Sequence, residues 1–174
     1  MRNILLATMI TLLAAPALAQ RVNIDFPGLA ERAAEVIDVT LDAQMLRLAS
    51  KFLSSRDADE RAIREIVAKL DGIYVRTYEF DRVGEYDRNI VERVRTQLGP
   101  TWKKVVNVRS RNRENVEVYF DTRGDVIAGL VVIAAEPREL TLVNIVGPID
   151  VDKLTHLSGQ FGIPRMKIEE KDHD

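Results

Sequence analysis

His156 and His173 are the only histidines in the chain, and cysteine is absent. A histidine metal centre needs several ligands converging at set spacing, and neither a His-Glu-x-x-His helix nor two histidines one turn apart is present. Without cysteine there is no thiolate metal site, no cysteine nucleophile and no disulfide. A Ser-His-Asp triad lacks its usual Gly-x-Ser-x-Gly turn. Asp150 and Asp152 resemble an acid–base pair but suit the start of a short helix, where carboxylates favour free amides and the helix dipole. Gly159 and Gly162 follow that helix instead of preceding it, so they do not form a phosphate cradle. No catalytic residue, metal ligand or cofactor-binding motif is identified, which points away from an enzyme.

Two sets of residues suit binding better than catalysis. Tyr74, Arg76 and Tyr78 alternate along one strand and share a face with Phe80, while Ile73, Val75, Thr77 and Glu79 take the other. Tyr and Arg are favoured at interfaces, so Tyr74, Arg76 and Tyr78 form the candidate binding surface, with Ile73 and Val75 expected in the core. The competing reading is that the aromatics cover the second face of the sheet. Lys103, Lys104, Arg109, Arg111 and Arg113 form the strongest basic cluster, but strand alternation splits Lys103 from Lys104, as expected for charge guarding a sheet edge. Arg123-Gly124-Asp125 is an adhesion-type tripeptide at an expected hairpin tip, where Gly and Asp also suit the turn itself.

The chain must first reach its compartment. Met1-Arg2-Asn3 is a short basic start, Ile4–Ala15 is mostly apolar, and Pro16 precedes Ala17-Leu18-Ala19. This is the layout of a cleaved export signal, cut after Ala19. The apolar run is too short and too broken by Pro16 for a spanning anchor, which needs ~20 residues. The expected product starts at Gln20 and is periplasmic or secreted. Residues 20–166 are expected to form one domain, followed by a polar tail at 167–174. Acidic side chains (27) slightly outnumber basic ones (25), so no net charge draws the chain to nucleic acid. No second apolar run could span a membrane.

Hydrophobic periodicity supplies the scaffold. A short helix is expected over Leu29–Ala34 and a strand through Ile37, Val39 and Leu41. Two helices follow, the first with Met45, Leu48, Ala49, Phe52 and Leu53 inward, the second capped by Asp57, with inward Ala62, Ile63, Ile66, Val67 and Leu70, and ended by Gly72. A strand at Ile73–Phe80 leads to a helix over Glu85–Leu98. Four strands then read as a meander: Trp102–Ser110, Asn115–Asp121, Val126–Ala135 and Glu139–Val146, ended by Gly147-Pro148. Helices concentrated early and strands late argue for α+β. We expect an antiparallel sheet of five or six strands with helices packed on one face.

The order of these pieces from Val36 to Leu157 resembles the bacterial domain of unknown function 4252 family. The matching features are Val36–Asp42, the Met45–Ala49 helix, the Leu70–Val75 junction, Trp102 before its strand, Gly129–Ala134 and Leu142–Gly147. Many members look like exported or lipid-anchored envelope proteins, although this chain lacks the cysteine of a lipid anchor. The resemblance implies export and one small domain, and brings no catalytic residues. The expected function is a non-catalytic cell-envelope binding or accessory protein with an envelope protein as partner. The alternatives are a periplasmic small-molecule or lipid binder, or a hydrolase of unrecognised type.

Overall fold

The computed structural model describes residues 21–53, 58–110 and 114–150. The signal segment, Asp57, Arg111, Arg113, Asp152, both histidines, Gly159 and Gly162, and the tail lie outside them. The strands are β1 (Glu35–Asp42), β2 (Gly72–Glu79), β3 (Trp102–Val108), β4 (Asn115–Arg123), β5 (Val126–Ala135) and β6 (Glu139–Ile149). The helices are α1 (Pro27–Ala30), α2 (Ala43–Ser50), α3 (Ala58–Val67) and α4 (Asn89–Arg95). All neighbouring strands are antiparallel, in the order β1-β2-β6-β5-β4-β3. The fold is α+β. β3 to β6 form the expected meander, and the β1–β2 pair extends it along β6.

Alternation divides the sheet into two faces. On one lie Tyr78 of β2, Leu140 and Leu142 of β6, Val131 and Ile133 of β5, and Tyr119 of β4, all buried. Leu29 of α1 and Ile90, Val91 and Val94 of α4 close over them, together with Val22, Ile24 and Phe26 from an extended N-terminal strap. The strap alternates buried and exposed residues like a strand. On the other face, Leu46 of α2 and Ile63, Ile66 and Leu70 of the α3 region cover only one end, against Leu41, Ile73, Ile145, Leu130 and Ile127. The helices expected on one face thus divide between two.

Several local expectations shift. α1 starts earlier because Pro27 occupies its first turn, where proline's fixed φ is preorganised. The inward side of α2 is Leu46 and Ser50, not Met45, Leu48 and Phe52. Asp42 caps the helix, accepting from the Met45 amide at 2.8 Å, and sets its rotation. Gly72 opens β2 instead of ending α3, because Tyr74 folds over it; a Cβ there would lie 2.6 Å from the Tyr74 hydroxyl. Ile73 and Val75 are only half-buried, while Tyr78 takes the core position expected of them.

Gly147-Pro148 does not end β6. Gly147 adopts φ +121°, and β5 shifts register between Ile127 and Gly129, so the strand kinks and runs on to place Ile149 under α3. Pro148 is harmless there because β2 stops pairing at Val146. At Gly147 a Cβ would meet the Asp71 amide at 2.7 Å and Leu70 Cα at 2.9 Å. That amide is itself held by the Val146 carbonyl at 2.8 Å. Gly147→Ala should therefore lose about 2–4 kcal/mol of unfolding free energy in a denaturant titration, and a loss within error would show that the bend is not constrained.

Candidate functional site

β2 presents Tyr74, Arg76 and Tyr78 to the face occupied by the strap. Tyr78 is 0% exposed. Its hydroxyl accepts from the Phe26 amide at 3.0 Å and donates to the Ile24 carbonyl at 3.3 Å. The Val22 amide donates to Asn144 Oδ1 at 3.0 Å. Gln97, beyond α4, completes the cradle by donating to the Asn23 carbonyl and accepting from its amide. Arg76 is buried and donates to Asp38, with Asp25 at 3.9 Å. Tyr74 is half-buried, with the Arg21 guanidinium 3.9 Å over its ring. The three residues are brought together, but the open surface proposed for Tyr78 is corrected: its face is packed, and what it holds is the chain's own residues 21–26. The signal missed in the sequence is the alternation of Val22, Ile24 and Phe26.

A second polar cluster joins α4 to the sheet. The buried Glu117 carboxylate accepts from Arg95 at 2.6 and 2.9 Å and from the Tyr119 hydroxyl at 2.7 Å, with Lys104 Nζ at 3.2 Å. Burial alone would raise its pKa, but the hydrogen bonds from Arg95, Tyr119 and Lys104 outweigh it and hold the group at about 2. A carboxylate saturated with donors and this acidic is a poor general base near neutral pH. It acts as a clamp. β4 register also places Lys104 on the Glu117 side and Lys103 on the opposite face.

Arg123 at the β4–β5 turn folds back onto the buried Asp121, 3.0 Å away, so the tripeptide does not present its guanidinium outward as a ligand. Gly124 supplies the positive φ of +60° that the turn needs. A cleft of about 350 Å³ lies between the strap and α4, lined by Asp25, Phe26, Arg32, Ile90 and Arg93. Among the described residues no cluster of His, Asp or Glu is arranged to hold a metal ion, and no helix is long and apolar enough to cross a membrane.

The sheet's other face is only partly covered by the described residues. Register aligns Val39, Val75, Val143, Val132, Val118 and Val106 into one row across all six strands. Ile37, Thr77, Thr141, Ala134, Val116 and Val108 form the next row. The valine row is only half-buried, and Ile37 and Val108 are exposed. Beyond them, Glu35, Glu79 and Glu139 stand directly opposite one another. Nearby, burial raises the Glu136 carboxyl, and the charges of Glu139 and Glu114 add to it. On the same side of the sheet, α2 turns Met45 (50% exposed) and Leu48 (56%) to solvent, and Phe52 just beyond its end is 83% exposed. The rows were hidden in the sequence because they exist only once register is set.

A model of the domain of unknown function family DUF4252 matches residues 31–157. None of the curated proteins and none of the solved structures compared with the chain matches it.

The clamp has a pH signature. Glu117 has a lower pKa folded than its ordinary value of 4.5. Its contribution is therefore complete above pH ~4.5 and fades as pH falls towards ~2, because the unfolded chain takes up the proton first. Glu117→Gln should destabilise the protein by about 2–3 kcal/mol at neutral pH and flatten the loss of stability across that acid window. Parallel pH–stability curves for wild type and variant would show that the clamp is not formed.

Proposed function

The chain belongs to the domain of unknown function 4252 family, and from that premise we propose that it is an exported, non-catalytic cell-envelope protein that works by binding. The observation that carries this is the half-covered apolar face of the sheet. Monomeric proteins rarely leave contiguous apolar patches larger than a few hundred Å² to water, and larger ones mark interaction sites. Among the described residues, one face is closed by the strap, α1 and α4, while the valine row and its neighbour stay open beside the apolar side of α2. The sequence of residues 1–19 supports delivery through a signal cut after Ala19, to the periplasm or beyond. A partner at Tyr74, Arg76 and Tyr78 would first have to displace residues 21–26, so the open face is the better candidate.

Mass spectrometry of the extracytoplasmic fraction should find a chain beginning at Gln20. A chain that keeps Met1 and stays in the cytoplasm would overturn the export reading. Affinity capture from envelope extract should retain polypeptides, a differently tagged copy of this chain included, that Leu48→Glu and Val75→Glu lose. Identical sets from all three proteins would remove the face from the function.

A further inference from the structure

We propose that the partner of the open sheet face is a second copy of the chain, docked face to face about a twofold axis. This rests on the reading of that face as a binding surface and names its occupant. The first support is shape. α2 and α3 cover the Leu41–Ile73–Ile145–Leu130 end and leave the rows beginning at Val39 and Ile37 open. The face is therefore a step, with a raised helical half and a flat strand half. From the Leu41 row to the Glu35 row is six residues along β1, ~20 Å at ~3.3 Å per residue. That is room for the helices of two copies, each ~10 Å across, lying end by end between two sheets. A twofold axis sets the helical half of each copy on the flat half of the other, so both steps fill at once.

Charge is the second support. Glu35, Glu79 and Glu139 face one another across three strands. Like charges directly opposite destabilise a sheet, and among the described residues none of the three is in an ion pair. The segment from Ala43 to Leu53 has no acidic residue; its charges are Arg47 and Lys51, one turn apart beside Met45, Leu48 and Phe52. Both are exposed and neither is in an ion pair among the described residues. In the twofold arrangement, α2 of one copy lays its apolar side on the Val39 and Ile37 rows of the other. Arg47 and Lys51 then reach the glutamate row. The same contacts repeat in reverse.

Sedimentation of the exported chain across micromolar to submillimolar concentrations tests this. A dimer is expected. Leu48→Glu, at a solvent-facing helix position that the monomer fold does not need, should weaken it about 100-fold or more by burying an unpaired charge. Glu79→Arg and Arg47→Glu should each weaken self-association, and mixing the two variants should restore a mixed dimer. Because the chain has no cysteine, Leu48→Cys mixed with Val75→Cys should form a disulfide between copies. A wild-type monomer throughout overturns the proposal, as does a dimer that both Leu48→Glu and Val75→Glu leave intact. If deleting 151–174 turns a monomer into a dimer, that segment is the occupant and the proposal fails. If the wild type is monomeric yet Leu48→Glu loses other captured envelope proteins, this inference fails while the reading of the face as a binding surface stands.

Discussion

The central strands of this sheet carry apolar side chains on both faces, and the described helices cover one face and part of the other. Most other features follow from that imbalance. The closed face is covered by α1, α4 and six residues of strap. It also takes in polar groups, and an unpaired buried donor or acceptor costs about 1–3 kcal/mol. Arg76 finds Asp38 and Asp25, Asn144 holds the strap and Glu117 collects Arg95, Tyr119 and Lys104. These groups converge, but on each other. Their geometry is that of locked packing.

Legibility in the sequence followed the range of the forces concerned. β5 is legible to the residue, Val126–Ala135, because a long β-branched run bounded by turns needs only local information. The buried residues of α4, Ile90, Val91 and Val94, likewise follow helical spacing. The orientation of α2 was not. Its apolar residues occupy two sides, and hydrophobicity alone favours Met45, Leu48 and Phe52, whereas the Asp42 cap turns Leu46 inward. Tyr78 was legible as half of an alternation but not as core, because its burial depends on Val22, Ile24 and Phe26, about fifty residues away. The end of β6 is not legible locally, because Gly-Pro usually stops a strand and only the packing against Leu70 and Asp71 shows that Gly147 bends it instead.

The lack of cysteine gives this arrangement its physical setting. A domain without disulfides takes no stability from covalent cross-links and depends on its packing and hydrogen bonding. The strap matters in that light. It lengthens the main core by three buried side chains at small cost, because its backbone amides and carbonyls are met by Tyr78, Asn144 and Gln97. Those side chains turn an unpaired segment into an ordered one without adding a seventh strand. Tyr78 is the hinge of this device, with its ring in the core and its hydroxyl bridging two strap residues.

The proposed association through the face also depends on what the edges prevent. An exposed edge strand offers unpaired amides and carbonyls to any other strand. β1 at one edge carries Glu35, Asp38 and Asp42 in eight residues. β3 at the other carries Lys103 and Lys104 and a register break between Lys104 and Val106. Charge and irregularity at the two edges both oppose sheet extension, and acidic β1 would attract basic β3 only across a broken register. The open rows have no such guard: across six strands the Val39 row holds no charge at all. Contact that buries apolar surface is thereby directed to the face of the sheet and away from its edges.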